Sequence, residues 1–103
     1  MSNILDVWLL GKKVGVLEQE RGRMSFSYEE GYISKPEPMA LSVSMPVQEK
    51  HYEDDVTRAF FSGLLPDDLV RHRLAKLLGV SEKNSFGLLE AIGGECAGAI
   101  TIL

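Results

Sequence analysis

The chain has 103 residues and carries 11 Lys and Arg against 15 Asp and Glu, a formal charge of −4. That balance argues against nucleic acid as the main partner, because phosphate binding needs a cationic surface. A single cysteine, Cys96, rules out an internal disulfide, and no run approaches the roughly 20 apolar residues of a membrane span. The length suits one domain over residues 1–103, and the first residues lack the basic and then apolar pattern of a leader. A cytoplasmic protein is expected.

In chain order, residues 4–10 read as a mostly buried strand, 11–13 as a turn, and 14–17 as the start of a return strand. Residues 18–23 are polar, contain Gly22 and read as an exposed loop. Met24, Phe26 and Tyr28 alternate with Ser25 and Ser27, the period of two that a sheet requires. Residues 31–38, with two prolines, read as an irregular connection with room for one helical turn. Leu41, Val43 and Met45 repeat the alternation, so a second strand is expected there, closed by Pro46.

Asp54 is placed to cap a helix whose stripe is Val56, Ala59, Phe60, Gly63 and Leu64. The run stops near Pro66, a residue suited to the first position of the next helix. Asp67 and Asp68 then fall in a first turn, where the helix dipole favours negative charge. Val70, Leu74, Leu77 and Leu78 form the expected buried stripe, with Arg71, Arg73 and Lys76 mainly off it. Gly79 is a natural stop. Ser85 is placed to cap a third helix carrying Leu88, Leu89 and Ile92, ended by Gly93 and Gly94. Residues 98–103 are β-prone. This order predicts an α+β fold: a small antiparallel, barrel-like sheet of about five strands, with two or three helices inserted before the last strand.

Catalytic constellations fail at the level of residue types. One cysteine and two separated histidines, His51 and His72, are a poor supply of zinc ligands. His72 lies between two arginines and reads as a solvated helix position. No phosphate loop of the Gly-x-x-x-x-Gly-Lys type occurs, nor any His-Arg-Asp or Asp-Phe-Gly triplet. The glycine-rich residues 93–98 read as a turn rather than a ligand loop. The paired acids near helix starts are explained by capping and the dipole. Cys96, among Gly, Glu and Ala, reads as an inert, half-buried thiol. No catalytic residue, cofactor or metal site is expected.

The segment Phe60-Phe61-Ser62-Gly63-Leu64-Leu65-Pro66-Asp67 resembles the FFxxLLPD signature near the amino terminus of HipA-family toxin kinases. The likeness continues in order along the chain. Residues 7–17 look like the opening hairpin of those kinases, and 38–46 are similar to their P-LSLSLP segment. Val70-Arg71 and Arg73-Leu74 follow the signature as they do there. Residues 86–93 are similar to FDLLxxIG, and 95–100 to the D-x-x-GAV ending. The region matched is the amino-terminal subdomain, without the nucleotide-binding and catalytic segments.

Most of all, the chain resembles the stand-alone form of that subdomain, HipS, which accompanies a shortened kinase, HipT, and a DNA-binding protein, HipB. The resemblance implies a non-catalytic antitoxin that binds and restrains a HipT/HipA-like Ser/Thr kinase, with a HipB-like protein reached through the complex. The expected contact is the exposed side of the Leu-Leu-Pro corner: Leu65, Pro66, Asp67, Asp68 and Arg71. Phe61 lies off the predicted stripe and can serve either core or contact. Two other readings stand beside this one: an assembly module of a kinase–repressor complex that does not inhibit, and the isolated amino-terminal subdomain of a HipA-type kinase. A small nucleic-acid-binding β domain is weaker, given the acidic charge.

Overall fold

A computed structural model describes residues 3–81, 83–92 and 100–103. The elements run β1 (Asn3–Leu9), β2 (Lys12–Glu20), β3 (Arg23–Tyr28), α1 (Glu30–Ile33), α2 (Asp54–Ser62), α3 (Asp68–Leu78), α4 (Ser85–Ile92) and β4 (Ile100–Ile102). The strands form one antiparallel sheet in the order β3-β2-β1-β4. The α+β class is as expected, but among the described residues the sheet has four strands and stays open rather than closing into a barrel.

Both hairpins are tighter than their composition suggests. Leu10 and Gly11 have φ of 51° and 80°, and Arg21 and Gly22 have 53° and 79°. Positive φ at both central residues gives two-residue turns that match strand twist. Lys12 and Lys13 therefore belong to β2, and residues 18–20, expected as a loop, continue that strand.

The sheet buries one face. Leu5, Leu17 and Phe26 form one cross-strand row, and Ile102, Val7, Gly15 and Tyr28 form the next. The second row has a bare glycine because Phe26 leans across it. A Cβ on Gly15 would sit 2.6 Å from the Phe26 Cζ and overlap the Ser27 carbonyl. A register shift between Val7 and Trp8 leaves Val14 unpaired in β2 and turns its side chain into the core.

Residues 41–45 correct the alternation reading. They form no strand; a turn joins a single bridge between Ser42 and Met45, with Val43 fully exposed and Met45 fully buried. Tyrosine hydroxyls capture this segment instead of a ladder. The Tyr28 hydroxyl donates to Met45 O at 2.5 Å and accepts from Leu41 N at 3.0 Å. Tyr32 donates to Met39 O, and Tyr52 to Pro46 O. The short α1 falls in the connection where one helical turn was expected.

The helical stripe of α2 also differs from expectation. Thr57 and Phe61 face inward, with Leu65 one turn on, whereas Ala59 and Gly63 are exposed. Val56, Phe60 and Leu64 are half-buried at the edge of the core. Thr57 can go inside because its hydroxyl donates to Tyr52 O at 3.1 Å. Asp54 is the first helical residue rather than the cap. Its carboxylate accepts from Met24 N at 2.8 Å and from Arg58 Nη2 at 3.0 Å, and Arg58 also donates to Gly22 O at 2.8 Å. Those bonds fasten the start of α2 to the β2–β3 turn. In α4, Phe86, Leu88 and Leu89 are buried, and Asn84, not Ser85, caps by accepting from Gly87 N at 3.0 Å. The readings of Cys96 and of the glycine-rich turn at 93–98 lie outside the described residues.

Two outcomes are expected. Gly15→Ala overpacks the Phe26 contact and should lower stability by about 1–3 kcal/mol, measured by urea unfolding. The Met24 N–H, and after it Arg58, hold the Asp54 carboxyl below its ordinary value of 3.8. A depressed folded value gives stability that is full above the unfolded value and lost as pH falls through the lower folded one. Asp54 is about one-third exposed, so the effect should be near 1 kcal/mol. Unfolding midpoints taken from about pH 6 down to pH 3 should decline in the parent chain and decline less in Asp54→Asn.

Candidate partner-binding surface

The corner between α2 and α3 is built from the inside. After Ser62 the chain tightens: the N–H groups of Gly63, Leu64 and Leu65 each reach the carbonyl three residues back, at 3.1 Å. Leu65 drops into the core at 8% exposure, below Phe61 at 0%, whose ring lies 5.5 Å from that of Phe26. Pro66 is half-buried and precedes the cap rather than opening the helix. Asp67 is the N-cap of α3, accepting from Val70 N at 3.1 Å. Arg71 reaches back over the corner and donates from Nη2 to Ser62 O at 3.1 Å.

These positions sort the expected contact residues. Phe61 and Leu65 are core groups and cannot present their side chains to a partner. Asp67 is exposed but engaged as a cap. Asp68 is exposed, and Pro66 and Arg71 are half-buried at the surface.

The roll of α3 overturns the expectation of a buried Val70, Leu74, Leu77 and Leu78 stripe. The helix turns Ala75 inward, with Leu74 half-buried beside the core. Leu69 is 65% exposed and Leu77 83%, and Val70 and Leu78 are also exposed. At 100° per residue these four fall on one side of the helix. An apolar stripe facing solvent marks an interaction surface more often than chance exposure does. Arg73 falls between Leu69 and Leu77 on that same side, and Lys76 and Arg71 lie at its two edges, so cations are interleaved with the apolar groups on a chain that is acidic overall. Sequence reading found the stripe but assigned it to the wrong side; Leu69 was missed.

Little else is arranged for chemistry. His51 bonds Glu53 at 2.9 Å on the surface, and His72 is exposed. Among the described residues, no group of three or more His, Cys, Asp or Glu side chains could hold a metal, and no helix is long and apolar enough to cross a membrane.

The geometry defines a small α+β module whose distinctive feature is an outward apolar helix face. The family model described as the HipA N-terminal domain matches residues 5–103. The chain belongs to that family. "Putative kinase Y4mE" of Sinorhizobium fredii (strain NBRC 101917 / NGR234) is 39% identical over 101 residues, which are 97% of this chain but 24% of that protein. A protein of Haemophilus influenzae (strain ATCC 51907 / DSM 11121 / KW20 / Rd) is 28% identical over 96 residues, covering 93% of this chain and 87% of its own length. Among solved structures, the Shewanella oneidensis MR-1 toxin–antitoxin complex of HipA, HipB and operator DNA contains a chain that matches with a TM-score of 0.82 at 27% identity, over 96% of this chain and 23% of that one. The N-terminal domain of HipA toxin matches with a TM-score of 0.64 at 18% identity, covering 97% of this chain and 88% of that one, a likeness of fold.

The two classes of residue should separate cleanly in the isolated chain. Leu77→Ser should leave thermal stability within about 0.5 kcal/mol of the parent, whereas Phe61→Ala should cost about 3–5 kcal/mol. Parallel urea titrations check both.

Proposed function

We propose that this chain is a non-catalytic antitoxin that binds and inhibits a HipT/HipA-like Ser/Thr protein kinase. The observation that carries the reading is the outward stripe of α3, Leu69, Val70, Leu77 and Leu78, on a domain that covers only a quarter of a relative named as a kinase. The stripe lies beside the corner, where Asp68 is exposed and Pro66 and Arg71 are half-buried at the surface. A standard interface buries about 800 Å² per partner, within reach of a domain this size. Fully burying each Leu or Val is worth about 1.5–3 kcal/mol, so two or three such anchors are enough to drive docking. Bound there, the chain occludes the kinase cleft or holds its lobes apart. It performs no phosphoryl transfer itself, since none of the necessary motifs occurs in the 103 residues. Its site is cytoplasmic, beside the kinase.

The Shewanella structure is titled as a toxin–antitoxin system of HipA and HipB with operator DNA. It favours a second reading, in which this domain assembles a kinase–repressor complex and a HipB-like protein carries the DNA contact. The two readings part in one assay: ATP turnover by the cognate HipA-like kinase, measured with and without equimolar chain and with no DNA-binding protein present. Inhibition is expected. Binding without inhibition would make the chain an assembly module, and absence of binding would remove both readings. Leu69→Asp with Leu77→Asp should weaken binding by at least about tenfold while the chain stays folded.

A further inference from the structure

We propose that a cleft beside the corner, between α2, α3 and the start of α4, binds an oxyanion, a carboxylate or phosphoryl group carried on a partner's side chain. Arg58, Asp68, Arg71, Lys83 and Ser85 line it. Three cations thus meet one exposed carboxylate, on a chain whose formal charge is −4. Arg58 is matched by Asp54 at 3.0 Å. Arg71 and Lys83 are not: among the described residues, neither has a carboxylate within ion-pairing distance.

Arg71 is the more telling of the two. Of its five guanidinium N–H donors, the one bond made among the described residues is that to Ser62 O, and its Nε is buried without an acceptor. That Nε is closed off from solvent, so an anion entering the cleft meets the remaining Nη donors of the guanidinium. Ser85 adds a neutral donor. Its hydroxyl accepts from Ser62 Oγ at 3.0 Å, which leaves its own proton to give. Ser85 is also the first residue of α4, whose cap Asn84 already accepts from Gly87 N. Guanidinium, ammonium and hydroxyl donors converging on one concavity suit an acceptor-only group bearing negative charge. The cleft shares Asp68 and Arg71 with the corner, so an anion held there lies next to the proposed docking stripe. Only the identity of the carrier rests on the kinase reading; binding of the oxyanion does not.

The test therefore needs no kinase. The full chain is titrated at constant ionic strength with inorganic phosphate, and separately with acetate, against a chloride control, following backbone amide shifts. Saturable shifts at Asp68, Arg71, Lys83 and Ser85 are expected, with Lys83→Gln and Arg71→Gln each weakening binding by about three- to tenfold. Tighter binding of phosphate assigns a phosphoryl carrier; binding of acetate as tight or tighter assigns an Asp or Glu side chain. Non-saturating shifts with both anions, or titrations unchanged in Lys83→Gln, overturn the proposal. Lys83 is exposed and makes no side-chain bond among the described residues, so its variant reads the site even if loss of Arg71 disturbs the corner.

Discussion

The ring of Phe26 lying over the bare backbone of Gly15 is the contact on which the rest of the molecule depends. Phe26 is fully buried and meets three separate parts of the chain. Its ring stands edge-on to Tyr28 at 4.9 Å and tilts against Phe61 at 5.5 Å. Its backbone exchanges both hydrogen bonds with Tyr52, 3.2 Å and 2.7 Å, which ties the residues before α2 to the edge strand β3. A side chain on Gly15 would push the ring away from all of these at once. Sheet, connector and α2 are therefore positioned by one residue and the space left for it. The azimuth of α2 follows, with Phe61 inward, and from that the corner and the roll of α3.

What could be read in the sequence, and what could not, divides along the same physical line. Local devices were legible: the alternation at 24–28, the helix at 85–92 and the glycine stop at 79 all act within a few residues. The alternation at 41–45 misled because period two is necessary for a half-buried strand but does not supply a partner for its backbone. The Tyr28 hydroxyl bonds both ends of that segment instead, and Tyr32 and Tyr52 take the flanking Met39 and Pro46 carbonyls. The α2 stripe was misplaced by one residue step because Thr57 counts as polar until its hydroxyl finds the Tyr52 carbonyl. For the same reason Leu65 was assigned to the surface and Phe61 was left open between core and contact. Hydrophobic periodicity on α3 located an apolar side correctly, but periodicity says nothing of whether the covering surface lies in the same chain.

A few charged groups help to hold this domain together. Lys13 bridges Glu29 at 2.9 Å and Asp6 at 3.2 Å across the outer face of the sheet, and those hydrogen bonds, that to Glu29 foremost, raise its affinity for a proton. Asp54 and Arg58 close the β2–β3 turn against α2. Burial pushes the Tyr28 hydroxyl up, which keeps it a neutral donor to Met45. Arg58 belongs to both settings: it fastens α2 to the β2–β3 turn through Asp54 and Gly22, and it lines the cleft with Arg71 and Lys83.

A helix that shows leucines to water must be justified by what it gains elsewhere, since exposed apolar area lowers solubility without adding to the fold. Here the arrangement is set by fixed local bonds rather than by a failure to pack. Asp67 caps the start of α3, Arg71 ties its first turns to Ser62, and Gly79, at φ 71°, ends it through bonds to Ala75 and Lys76. The small Ala75 allows the backbone to approach the core without needing the leucines there. The stripe is therefore preorganised: a partner that covers it orders no new segment and gains the apolar burial in full. Preorganisation also sets direction, because the cations within and beside the stripe favour an acidic counterpart and disfavour a second copy of the same basic helix. A surface held by fixed local bonds, with leucines and cations interleaved, is suited to recognising one partner rather than many.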